Sequence, residues 1–476
     1  MKICVALITG CLLCTTSIRA DAQAPPVITL AQAVDEALVK NDRMLNQHDT
    51  IEQAALGVRL ARNTFQPKVV PNVLGSFGQT DINSQNYRVD VTQKFTSGTE
   101  MRFGVGTSTS QIPGLPGVSG PGDIHFYNAD TTLTLSQPLL RGFGPGVARR
   151  SLTSAELRRE DANRQQSLAE QQVALDVASA YYHVVAQQAI VEVAKTSLDR
   201  ARKLRDASEA KLDAGLVSQL DVLRAQQLVA QAEIQLFDAQ SAVEDARDRL
   251  TFAMGRPAGE PFEVQPEIPR AADPDIVSGA DEAVRTAVEN RLDLKNLAAS
   301  LADAAHQVSY ARNQLLPQVD VNFALTRRET AESFGRSFGV DGFRFATFFN
   351  ISTPVDRTPQ IVEYQNALID RDRRQRDALT LQRRIADDVK RALRERDRLQ
   401  RTLLAAETSV DIGRKEVEVA QLRYERGLSN NLDLVSAEGN LLTAESRRIA
   451  VLADSAVARL SLRAMLGILD PRKDVQ

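Results

Sequence analysis

Two hydrophobic rhythms alternate along the chain. Over 30–63 apolar positions recur every three or four residues. Ala33, Val34, Ala37 and Leu38 share one face, as do Ala54, Ala55, Val58 and Ala61 further on. That spacing predicts a helix, stopped at Phe65-Gln66-Pro67 because proline cannot continue it. The rhythm returns over 280–313, where Ala61-Arg62-Asn63…Pro67 recurs 250 positions later as Ala311-Arg312-Asn313…Pro317. After each proline the period falls to two. Tyr87, Val89, Val91 and Phe95 alternate with Arg88, Asp90, Thr92 and Lys94. Met101, Phe103 and Val105 then alternate with Arg102, Gly104 and Gly106, and Leu133 and Leu135 with Thr132, Thr134 and Ser136. In the second half Val319, Val321, Phe323 and Leu325 alternate with Asp320, Asn322, Ala324 and Thr326, ahead of Phe343, Phe345, Phe349 and Ile351. These are strands with one apolar and one polar face.

Each strand region, 67–138 and 317–354, closes on a proline, and a long helix is predicted after it, over 147–212 and 358–424. At 1.5 Å per residue each rod is about 100 Å long. The rods end in matching apices: Gly215-Leu216-Val217-Ser218 before Leu220-Asp221, and Gly427-Leu428-Ser429-Asn430 before Leu432-Asp433. Glycine tolerates the left-handed turn that ends a helix, and Ser or Asn caps the next one. Shorter helices follow over 218–254 and 430–466. Gly215 and Gly427 lie 212 residues apart, as do Gly255 and Gly467. A register kept over that distance means a duplicated unit: repeat 1 over 23–257, a Gly/Pro-rich connecting segment over 258–279, repeat 2 over 280–470 and a tail over 471–476. Within each repeat the helix before the strands plus the one after the apex matches the long helix in length. Two short rods stacked end to end beside one long rod therefore suit a tube.

Composition narrows the class. With 58 basic and 61 acidic residues the net charge is −3, and no basic face points to nucleic acid. Trp is absent, aromatics make up 5% and mean hydropathy is −0.25, which suits helices packed through Ala and Leu. Cys4, Cys11 and Cys14 all lie in the first fourteen residues. There, Lys2, an apolar run and Ala20-Asp21-Ala22 read as a signal peptide over 1–22. Ile8-Thr9-Gly10-Cys11 resembles a lipidation box behind a short apolar run. No stretch supplies the ~20 apolar residues of a membrane-spanning helix. Strands of about ten alternating residues do fit a transmembrane β-barrel, and the Gly- and Pro-rich stretch Gln111 to Asp130 fits an extracellular loop.

No catalytic constellation is evident. His48, His125, His183 and His306 are scattered without metal-ligand spacing, and no cofactor is expected. Gly142-Phe143-Gly144-Pro145-Gly146 lacks the Lys-Ser/Thr of a phosphate loop and reads as a strand-to-helix turn. The Arg/Asp runs at 371–377 and 394–398 read as solvated helix surface.

The paired Gly-Leu-x-x-x-Leu-Asp apices, the prolines flanking both strand regions and the Met254-Gly255-Arg256-Pro257 ending resemble the TolC-like outer-membrane efflux protein family across nearly the whole chain. The resemblance implies an α+β membrane protein with two internal repeats. It implies a homotrimer whose transmembrane β-barrel, set in outer-membrane lipid, is continuous with a long periplasmic α-helical barrel. It also implies a periplasmic adaptor, meeting the tips at Gly215, Leu216, Val217, Ser218, Gly427, Leu428 and Ser429, and an inner-membrane pump. The matching gate positions are Asp221, Tyr424 and Asp433. Tyr424 is expected within reach of Asp221, with three Asp433 residues forming a ring. Two departures stand out. Ser429 and Ser436 replace the family's gating arginine and its second carboxylate. The first repeat also shows four strands, at about 69–79, 87–95, 99–107 and 130–137, where the family has two. A trimer would then close on 18 strands rather than 12, or the extra hairpin would lie outside the barrel. A competing reading, without a pore, is an exported coiled-coil structural or adhesin-like protein carrying a β-domain.

Overall fold

The computed structural model describes residues 26–76, 83–112, 124–268, 279–331, 333–338 and 342–474. The predicted leader 1–22 lies outside them. In chain order the elements are β1 (Val27–Ile28), α1 (Leu30–Lys40), α2 (Asp42–Asn63), β2 (Lys68–Gly75), β3 (Asn83–Lys94), β4 (Glu100–Ile112), β5 (Ile124–Pro138), α3 (Pro145–Ala148), α4 (Arg150–Asp213) and α5 (Gln219–Met254). Then come β6 (Glu263–Val264), α6 (Ala280–Asn290), α7 (Leu292–Gln314), β7 (Gln318–Ala331), β8 (Arg344–Ser352), α8 (Thr358–Glu425) and α9 (Asn431–Met465).

One six-stranded antiparallel sheet, in the order β2-β3-β4-β5-β7-β8, unites the strands of both repeats. Its register keeps the alternation in phase: Val69 faces Val91, Val91 faces Phe103, Phe103 faces Leu133, and Leu135 faces Phe323. One face is therefore apolar from edge to edge. The strands run further outward than the alternation suggested. Gln111, Ile112 and 124–130, expected in a loop, belong to β4 and β5, and 113–123 lie outside the described residues. The outer ends, such as Thr107-Ser108-Thr109-Ser110, are polar on both faces, so they carry no period of two.

The helices predicted over 30–63 and 280–313 are each two helices. The first breaks at Asn41 (φ −65°, ψ 131°) and the second at Arg291 (φ −62°, ψ 123°), 250 positions later. Asn41 caps α2 by accepting the Arg43 N–H at 2.9 Å, and its own amide donates to the Ala253 carbonyl at 2.8 Å. The left-handed end of α5 at Gly255 presses into this break. A Cβ there would lie 2.7 Å from the Lys40 carbonyl oxygen. Gly467, ending α9, presses into the second break in the same way, 2.9 Å from the Arg291 nitrogen. The long helix of repeat 1 likewise starts as the short α3 and restarts as α4 at Arg150.

The connecting segment is partly packed. Phe262 and Val264 are buried, β6 pairs with β1 in parallel, and the Tyr181 hydroxyl donates towards the Ile28 and Gln265 carbonyls. Residues 269–278 lie outside the described residues. The largest core, with Val34, Val177, Tyr181, Leu250, Met254 and Leu460, sits at this waist. Towards the sheet the neighbouring helices run α2, α4, α7, α8; towards the apices they run α5, α4, α9, α8. One protomer is thus a wall four helices wide at either level. Its edges are α8 on one side and the stacked α2 and α5 on the other.

Candidate functional site: the paired helix tips

The two apices share one backbone design. At the first, the Gly215 N–H donates to the Leu212 carbonyl and the Leu216 N–H to the Lys211 carbonyl, both at 2.8 Å. At the second, Gly427 donates to Tyr424 at 3.2 Å and Leu428 to Arg423 at 2.9 Å. This double closure needs a left-handed residue, and Gly215 and Gly427 supply it at φ +72° and +73°. The turn pushes the following leucine outward, so Leu216 is 74% and Leu428 67% exposed. Val217 and Ser218 complete the first turn. Ser218 caps α5 in a reciprocal box with Asp221, and Asn430 caps α9 by accepting the Leu432 N–H at 3.1 Å.

The expected Tyr424–Asp221 contact does not form within the protomer. Asp221 stands at the third position of α5, where its carboxylate is drawn back to the Ser218 hydroxyl at 2.7 Å. Tyr424, on the last turn of α8, faces α4 instead. It is 4% exposed, and its hydroxyl lies 2.8 Å from Ser208 Oγ. Ser208 donates its only hydrogen to the Leu204 carbonyl at 2.8 Å, so the tyrosine is the donor. Lys211 completes the clamp: its Nζ sits 3.9 Å from the ring centroid and donates to the Tyr424 carbonyl at 2.7 Å. Asp433 is exposed and accepts from the Ser429 hydroxyl at 2.5 Å. Both aspartates therefore sit in the first turn of a helix, where their charge favours the dipole.

Sequence reasoning missed Ser208, Lys211 and Asn431. Buried Asn431 donates its amide to the Asp221 carbonyl at 2.5 Å, tying one apex to the other. The repeated asparagine after Ser429 was the only hint. Above the tips Arg200 on α4 meets Glu438 on α9 at 2.9 Å. Burial pushes the Glu438 carboxyl up from its usual range, against the pull of Arg200. Among the described residues no group of acidic, His or Cys side chains could hold a metal ion, and no helix is long and apolar enough to cross a membrane.

The model of the outer membrane efflux protein family matches 33–256 and 283–468, one segment in each repeat. Nodulation protein T of Rhizobium leguminosarum bv. trifolii is 25% identical over 336 residues, covering 66% of this chain and 67% of that protein. Pyoverdine export outer membrane protein OpmQ of Pseudomonas aeruginosa is 24% identical over 302 residues, covering 61% of this chain and 60% of its own. Among solved structures, the outer membrane protein VceC of Vibrio cholerae superposes with a TM-score of 0.70 at 17% identity, over 92% of this chain and 96% of that one. A pore-free adhesin has no support among these relatives. The chain belongs to the outer membrane efflux protein family, with the fold of its trimeric channels: a β-barrel in the outer membrane continuous with a helical barrel in the periplasm.

Proposed function

We propose that three copies of this chain form the exit duct of a tripartite efflux or type I secretion system, opened at its helix tips by a periplasmic adaptor. The duct does no chemistry of its own, and the energy for transport comes from an inner-membrane pump. The carrying observation is the pair of exposed leucine tips, at the far end of a 64- and a 68-residue helix from an apolar-faced sheet.

The tips have two roles. Gly215, Leu216, Val217 and Ser218 with Gly427, Leu428 and Ser429 form the adaptor surface, since an exposed leucine next to a rigid turn is a ready anchor for a partner hairpin. Tyr424, Asp221 and Asp433 belong to the gate. Tyr424 acts through Ser208 and Lys211, holding α8 against α4 rather than reaching Asp221. Asp433, one per protomer, puts three negative charges near the entrance and favours cations there.

Planar-bilayer recording of the purified trimer tests the duct, and channels of closed, low conductance are the expected result. Trimers that never conduct, even with α4 and α8 unclamped by Tyr424→Ala, would end this reading. Leu216→Asp with Leu428→Asp is expected to abolish adaptor co-purification while leaving the trimer assembled.

A further inference from the structure

We propose that the outer-membrane wall of this channel has 18 strands, the β3–β4 hairpin of each protomer serving as two full staves, and that it closes by pairing β8 of one copy with β2 of the next. The proposal rests on the trimeric channel reading and fixes the architecture of its membrane part.

Four observations carry it. First, β3 and β4 sit between β2 and β5, with unbroken registers on both sides. A hairpin folded away from the wall would leave β2 beside β5. Second, β3 and β4 hold 12 and 13 residues, and a membrane strand needs about 9–11. Their apolar face continues that of the other strands: Val89 and Phe103 are exposed in line with Val69, Leu135 and Phe323. Third, the polar face is wired through the hairpin. Arg88 on β3 reaches across β4 to Asp130 at 2.7 Å and Thr132 at 3.2 Å on β5, while holding Asp90 at 2.8 Å. Gly104 of β4 makes room, since a Cβ there would fall 2.5 Å from an Arg88 nitrogen. Charges neutralised this way suit the inner wall of a water-filled pore. Fourth, the β3–β4 turn is moored to the strand-to-helix junction, where the Gly144 N–H donates to the Ser97 carbonyl at 3.2 Å. The turn therefore sits at the rim shared by the other staves.

Closure follows from solvent chemistry. Every residue of β2 and β8 is exposed in the lone protomer, and each strand has one neighbour. An open edge cannot stand in lipid, because its N–H and C=O groups would be unsatisfied. A second copy of this chain is the partner that satisfies both edges at once. With strands about 4.7 Å apart and tilted about 40°, 18 staves give a wall about 35 Å across, against about 24 Å for 12. Twelve helices spaced 8–10 Å apart make a ring about 31–38 Å across, so the wider sheet meets the helical wall without a step.

The predicted mature chain has no cysteine, so single ones report cleanly. Bimane attached to Val89→Cys and Phe103→Cys, in vesicles of brominated phosphatidylcholine, is expected to lose as much fluorescence as on Leu135→Cys and Phe323→Cys. Probes on Thr92→Cys and Thr134→Cys should stay bright. Quenching at Leu135 and Phe323 but not at Val89 and Phe103 would place the hairpin outside the wall and overturn the proposal. Quenching at none of them would remove the whole sheet from the membrane and sink the channel reading as well. In detergent-purified trimers, oxidised pairs of Val69→Cys with Phe349→Cys or Ile351→Cys should give disulfide-linked oligomers. Only unlinked chains across that scan would exclude the β8–β2 seam.

Discussion

A single hydroxyl carries the proposed gate. Tyr424 donates to Ser208 in a buried pocket, where a lost hydrogen bond costs about 1 kcal/mol or more. Tyr424→Phe and Ser208→Ala are each expected to raise open probability several-fold in single-channel recording. The double variant should add little, since both remove one bond. Additive effects would show the two side chains acting separately. A second residue-scale contact lies at the waist. Arg256 grips Glu36 through two hydrogen bonds, at 2.8 and 2.5 Å, and holds that carboxyl below its usual range, with Lys40 helping. The folded value lies below the unfolded one, so the stabilisation is complete above about pH 4.3 and fades as pH falls through the folded value. Glu36→Gln should lower the thermal midpoint at neutral pH by an amount worth about 2 kcal/mol. The gap to the unaltered protein should narrow below about pH 4.

At the scale of elements, the four helix-ending glycines divide into two kinds. Those at the tips, Gly215 and Gly427, would meet nothing on gaining a Cβ; those at the waist, Gly255 and Gly467, would strike backbone. Alanine at a tip should cost about 1 kcal/mol for the left-handed turn alone. At Gly255 it should cost clearly more, in thermal unfolding followed at the helical band. The offset of 212 made all four glycines visible in the sequence, because a helix end needs a residue that accepts positive φ. The breaks at Asn41 and Arg291 were not read: the apolar rhythm runs through both, and the glycine packed into each comes from more than 170 residues away. Strand existence was legible from the alternation, including the surplus pair in repeat 1. The outer strand ends were not, being polar on both faces. Of the site, the apex turns were legible from Gly, Ser and Asn alone. The partner of Tyr424 was not, because no local pattern says which of two neighbouring helices a long-helix residue will face.

For the whole molecule, the edge rule found in the sheet repeats in the helices. α8 presents Leu404, Ile412, Val419 and Leu422, and α5 presents Leu223, Ile234 and Phe237, all exposed in one protomer. Each stripe runs about 20–30 Å along its helix at an edge of the wall, and an exposed apolar stripe of that kind marks a contact surface, here for the adjacent copy of the proposed trimer. Phe237→Asp should therefore shift the detergent-purified protein from trimer towards monomer on size exclusion, with its helical signal retained. An unchanged trimer would mean that α5 faces the lumen instead. The wedge of Gly255 against Lys40 also has a mechanical meaning. It pins one end of a rod about 54 Å long, whose other end is tied at the tip by the Asn431 amide on the Asp221 carbonyl. Once that tie is released, a swing of about 10° around the pinned end would carry the tip about 9 Å.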